Sequence, residues 1–160
     1  MRTIKLLSLG ALSLALASCA SAAAPQASSV TRVVSTTSFG MCVGYCMTEL
    51  VLTEGQAVLT RLPRGGRGAP SLAAPQRSSM PLTASEWAEI QRLAAQADFD
   101  ALPDVVGCPD CADGGAESLT VESASGAESV SIEFRADVRE VQPLLDRVRQ
   151  IRERLSPDNQ

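Results

Sequence analysis

Apolar and polar positions alternate with a period of two along several stretches of the chain, and with a helical period along two others. Val30 to Ser38 is rich in Val and Thr, whose branched side chains suit a pleated surface, and is expected to be a first strand. Cys46 to Thr53 places Cys46, Thr48, Leu50 and Leu52 on one side and Met47, Glu49 and Val51 on the other. After a turn at Glu54-Gly55-Gln56, Ala57 to Leu62 alternates again, so these two segments predict an antiparallel hairpin. Phe39 to Tyr45, with Gly40 and Gly44, separates the first two strands as a turn or bulge. A second hairpin is predicted further on. Leu119 and Val121 share one side of Glu117 to Glu122, Ser123 to Gly126 is a turn, and Val130, Ile132 and Phe134 alternate strictly with polar residues.

Thr83-Ala84-Ser85-Glu86 has the form of a capping box, and Trp87, Ile90, Leu93, Ala94 and Ala97 follow at helical spacing. That helix should end near Asp98, with Phe99 and Leu102 tucked beneath it; Trp87 reads as a core anchor. A second apolar stripe runs through Val141, Leu144, Leu145, Val148, Ile151 and Leu155. Pro143 would remove a donor inside this helix, so the helix either begins there or bends there, and Ser156-Pro157 stops it. The order strand, strand, strand, helix, strand, strand, helix predicts an α+β fold. About five mostly antiparallel strands would pack on two helices.

Between the first hairpin and the first helix, residues 63–81 carry Pro63, Gly65, Gly66, Gly68, Pro70, Pro75 and Pro81 and show no period. They read as a long, mobile, exposed loop. Arg61, Arg64, Arg67 and Arg77 lie in or beside it. Two readings apply: a basic finger touching an envelope protein or an anionic polymer, or a solvated loop whose charges keep it soluble.

The beginning of the chain reads as an export signal. Arg2 and Lys5 are basic, and Leu6 to Leu16 is apolar but shorter than the roughly 20 residues a membrane span needs. Leu16-Ala17-Ser18-Cys19 resembles the lipobox of bacterial lipoproteins. The resemblance implies a signal peptide at residues 1–18, a diacylglycerol on the Cys19 thiol, and often a third acyl chain on the new amino terminus. A plain signal cut after Ser21-Ala22-Ala23 is the alternative. Two or three acyl chains anchor stably at about 0.8 kcal/mol per buried methylene. Ala20, not Asp, follows the cysteine, which favours the periplasmic face of the outer membrane. Residues 19–29, rich in Ala and Ser, read as a flexible tether, and residues 30–156 as one domain.

Composition narrows the chemistry. The 160 residues include no His, which excludes imidazole-based catalysis and metal sites, and no motif places paired carboxylates for hydrolysis. The formal charge is −4, and loss of Arg2 and Lys5 makes the chain more acidic still; only 3% of residues are aromatic. Neither feature suits a nucleic-acid binder. Asp110, Asp113 and Glu117 lack the spacing of a calcium loop, and the segment reads as a turn in which Asp caps its own backbone.

With Cys19 lipidated, Cys42, Cys46, Cys108 and Cys111 remain, spaced C-x-x-x-C and C-x-x-C. An even set in an oxidising compartment reads first as disulfides, with three possible connectivities. Four thiolates also suit zinc, and a C-x-x-C also suits redox exchange. Ala112-Asp113-Gly114-Gly115, however, leads into a strand, without the helix N-terminus that lowers a thiol pKa. The segments Ser38 to Cys46 and Cys108-Pro109-Asp110-Cys111-Ala112-Asp113-Gly114-Gly115-Ala116-Glu117 resemble those of small exported bacterial lipoproteins of uncharacterised function. That likeness covers residues 30–155 and implies local pairing of the cysteines; it implies no activity. The expected function is therefore a non-enzymatic, disulfide-braced binding or structural module without a cofactor, anchored to a bilayer through acylated Cys19. The alternative is a metal-binding or thiol-redox lipoprotein using the same four cysteines.

Overall fold

Both edges of the first strand are occupied, which makes it the centre of the fold. The computed structural model describes residues 30–65 and 73–156; the signal peptide, the tether with Cys19, and Arg67 lie outside the described residues. Strand β1 (Val30–Ser38) pairs antiparallel with β2 (Gly44–Thr53) on one side and β6 (Ala116–Ser123) on the other. The remaining strands are β3 (Gln56–Arg64), β4 (Gln76–Pro81), β5 (Val105–Val106) and β7 (Gly126–Glu133), giving the order β4-β3-β2-β1-β6-β7-β5. All pairings are antiparallel except β5 with β7. The fold is α+β, with two α-helices and seven strands among the described residues.

Strand β4 and the end of β3 correct the sequence reading of residues 63–81 as one long loop. Strand β3 continues to Arg64, and Gln76–Pro81 pairs with it from Gln56↔Pro81 to Arg61↔Gln76. Gln76–Pro81 has no apolar alternation because it is a mostly exposed edge strand. Its order comes from backbone pairing, which the side chains do not advertise. Strand β5 is only two residues long and carries no period at all.

The core lies between one face of the sheet and helices α1 (Ala84–Gln96) and α2 (Gln142–Leu155). Leu50, Leu52, Leu59, Leu119, Val121, Val130 and Ile132 supply the sheet side; Trp87, Ile90, Leu93, Leu144, Leu145, Val148, Ile151 and Leu155 supply the helix side. Each such fully buried large side chain is worth about 1.5–3 kcal/mol. In β1 the register shifts between Val30 and Arg32, and this bulge lets Val30 and Val33, three residues apart, both face inward. The opposite face mixes a row of half-buried valines, Val34, Val51 and Val58, with polar residues, Thr36 bonded to Ser118 at 2.6 Å and Thr120 to Ser129 at 3.2 Å.

Thr83 caps α1 as predicted: its hydroxyl accepts from the Glu86 amide at 3.2 Å, and the Glu86 carboxylate accepts from the Thr83 amide at 2.9 Å. Pro143 lies in the first turn of α2, so the helix starts there without a bend. Glu86 also joins the helices, 3.2 Å from Arg154 and 3.6 Å from Arg147 of α2. The Thr83 backbone donor, then Arg154, hold its carboxyl down from 4.5 to about 2. Among the described residues no helix is long and apolar enough to cross a membrane.

Candidate functional site

Antiparallel register gathers four connections at one end of the sheet. Ser38 of β1 lies opposite Met47 and Ala116, Ala116 opposite Glu133, and Gly44 opposite Arg64. The β1–β2 turn, the end of β3, the segment before β6 and the turn after β7 therefore meet there. Val30, where β1 begins, is at the other end, paired with Ser123 beside the β6–β7 turn.

All four cysteines of the domain sit at this end, in two local pairs. Cys42 and Cys46 are at disulfide distance with Cα atoms 5.5 Å apart, and Cys108 and Cys111 likewise with Cα atoms 5.4 Å apart. Gly44, at φ +97°, lets the first ring close, and the Phe39 amide donates to the Cys46 carbonyl at 3.1 Å. Cys46 is buried at 1% exposure, whereas Cys108 and Cys111 are exposed. Asp110, between the second pair, accepts from the Gly40 amide at 3.0 Å and so links the second ring to the turn that leads into the first. Asp110 thus bonds backbone, but at Gly40, 70 residues away, and not within its own turn as its sequence context suggests. Phe39 meets Phe134 edge to face at 4.7 Å, above Gly115, whose hydrogen leaves room for the Phe39 ring. No group of three or more His, Cys, Asp or Glu side chains suited to a metal gathers among the described residues.

At the tip of the first ring, Met41 and Val43 are 81% and 78% exposed. The arginines singled out from the sequence are only partly brought together. Arg61 lies 4.9 Å from the Tyr45 ring centroid and donates to Gln76 at 3.1 Å. Arg64 donates to the Gly40 carbonyl at 2.9 Å. Arg77 pairs with Thr60, one residue out of step with Arg61↔Gln76, so it belongs to the opposite face of the sheet. None of the three is in an ion pair among the described residues.

The most densely connected polar group was not singled out by its chemistry. Glu117 is fully buried on the inner face, in phase with Leu119 and Val121. One of its carboxylate oxygens accepts from Arg149 Nε at 3.0 Å and Nη2 at 2.8 Å, and the other from Arg152 Nη1 at 2.8 Å. Arg152 also bonds Ser35 Oγ, and Arg149 donates to the Ala136 carbonyl at 3.2 Å. The signal in the sequence is phase: Ser35, Thr37 and Glu117 occupy inward strand positions that apolar residues otherwise fill. Arg149 and Arg152 flank the apolar stripe of α2, one turn beyond Leu145 and Val148. A cavity of about 430 Å³ opens beside this cluster. No protein-family model matches the chain, and no curated protein matches it either.

Proposed function

We propose that the chain is a lipid-anchored module of the bacterial envelope that binds another envelope component and catalyses nothing. The observation that carries this reading is the pairing of all four domain cysteines into two local rings, on a chain whose leader ends in Leu16-Ala17-Ser18-Cys19. Oxidised rings belong to an exported protein, and the lipobox supplies its anchor on the periplasmic face of the outer membrane. The anchor would join the domain at Val30, the end of β1 away from the rings. A nine-residue strand spans about 30 Å, so the ring end is presented away from the bilayer. There Met41, Val43, Arg61 and Arg64 offer apolar and cationic contacts to an acidic envelope protein or an anionic polymer.

The exposure of Cys108 and Cys111 favours a second reading, a thiol-redox or metal-binding lipoprotein, because a partner thiol has access to that pair. Intact mass of the membrane-extracted protein, alkylated without reductant, decides between the two. The first reading expects acyl mass on Cys19, no alkylated cysteine in the domain, and release of the Cys19→Ala variant from membranes. Four alkylated sites, or bound zinc by elemental analysis, would move the assignment to the second. A Cys19→Ala variant that stays in the membrane fraction would remove the lipid anchor from both.

A further inference from the structure

The cavity beside Glu117 carries more positive than negative charge. Three guanidinium groups, those of Arg135, Arg149 and Arg152, line it with two carboxylates, those of Glu117 and Glu153. Glu117 is already saturated by Arg149 and Arg152. Arg149 Nη1 keeps a loose ion pair with Asp146 at 3.9 Å, beyond hydrogen-bond range. Arg152 Nε is buried without a hydrogen-bond partner.

Arg135 is the unusual member. It sits in the turn after β7, which is closed by the Ala136 amide on the Glu133 carbonyl at 2.9 Å. Its φ of +63° lies in the left-handed region, where Gly, Asn or Asp is the ordinary occupant. Its guanidinium is in no ion pair among the described residues and lies 5.4 Å from the Phe134 ring centroid. A network that only locked α2 onto the sheet would need neither this arginine in an unfavourable conformation nor a cavity in front of it.

We infer that this cavity binds a small organic carboxylate. Arg135 and Arg149 take the carboxylate group, and Phe134 packs against the apolar body. The Arg135 guanidinium, in no ion pair among the described residues, supplies the charge for one carboxylate, guanidinium planes match a carboxylate in two-point hydrogen bonding, and the aromatic wall rewards a ligand with carbon to bury. The volume falls in the range of pockets that enclose small molecules. Inorganic phosphate shares the charge but has nothing to place on Phe134. The site adjoins the ring end of the sheet through Phe134, which packs on Phe39, but uses none of the four cysteines.

Titration calorimetry of the full mature chain in detergent tests this, with benzoate, hexanoate, benzamide and inorganic phosphate as probes. Expected is saturable binding of one benzoate or hexanoate per chain. Binding should be weaker by about tenfold or more for the uncharged benzamide, and equally weakened in Arg135→Gln. Arg135→Gly should lose the ligand while raising the ligand-free melting temperature, because glycine accepts the left-handed turn. Absence of saturable carboxylate binding, phosphate binding as tight as benzoate, or unaltered benzoate binding by Arg135→Gln would each overturn the inference. So would a lower melting temperature of Arg135→Gly, which would show that the arginine serves the fold.

Discussion

Replacing Glu117 with alanine removes a carboxylate whose side chain is 0% exposed and leaves two guanidinium groups, 19% and 12% exposed, facing each other. Three charge-assisted hydrogen bonds disappear together, and nothing else among the described residues supplies a negative charge to Arg152. Breaking a buried pair by deleting one partner costs about 3–5 kcal/mol. A domain holds about 5–15 kcal/mol in total, so Glu117→Ala should consume roughly a fifth of the stability or more. With a urea m-value near 2 kcal/mol/M, the midpoint of unfolding should fall by about 2 M. The control is Glu122→Ala. Its ion pair with Arg32 is more than one-third exposed on both sides, and its loss should cost under about 1 kcal/mol. Replacing Glu117, Arg149 and Arg152 together with Leu, Met and Leu should recover most of the loss, since the cost belongs to the orphaned charges and not to the missing pair. Urea unfolding followed by circular dichroism measures all three. A Glu117→Ala loss below about 1 kcal/mol, or simple additivity of Glu117→Ala with Arg152→Ala, would refute the reasoning.

Other consequences are as direct. Each local ring should contribute about 2 kcal/mol on the chain-entropy relation, read from unfolding midpoints with and without reductant. Time-resolved alkylation should show the exposed Cys108–Cys111 pair opening before the pair that includes buried Cys46. Thr83→Ala should cost about 1 kcal/mol by removing the α1 cap. The Glu86 carboxyl is held below its ordinary 4.5, at about 2, so its contribution is complete above 4.5 and is lost as the pH falls towards 2. The stability difference between the parent and Glu86→Gln should shrink over that interval in acid titrations. Gly115→Ala should cost more than about 1 kcal/mol, because a Cβ at φ +90° also meets the Phe39 ring. Gly55→Ala, at φ +79° with nothing within 4 Å, should be milder in the same melting experiment.

Much of the architecture was legible as phase. Leu50 and Leu52, Leu119 and Val121, and Val130 and Ile132 alternate because one face of their strands is buried, and the two helical stripes mark the faces that cover them. Gln76–Pro81 was not legible: an exposed edge strand owes its existence to β3 beside it and leaves no hydrophobic period. The candidate site divides the same way. The spacing of Cys42 with Cys46 and of Cys108 with Cys111 was visible, but their pairing was one of several possibilities until the second ring was placed, through Asp110 and Gly40, beside the turn that leads into the first. Arg61 and Arg77 read as neighbours in one basic stretch, and strand pairing put them on opposite faces.

By itself, then, the sequence determined the strand and helix periods, the capping box at Thr83, and that α2 must start or bend at Pro143. Each of these depends on residues within a few positions of one another, whose geometry a single element dictates. Only the tertiary structure decided that Glu117 meets Arg149 and Arg152, 32 and 35 residues later, and that Arg135 stands over Phe134 at the mouth of a charged cavity. The physical reason is that a buried charge takes its partners from whichever element packs across it, and sheet order, not chain order, brings α2 over the inner face of β6.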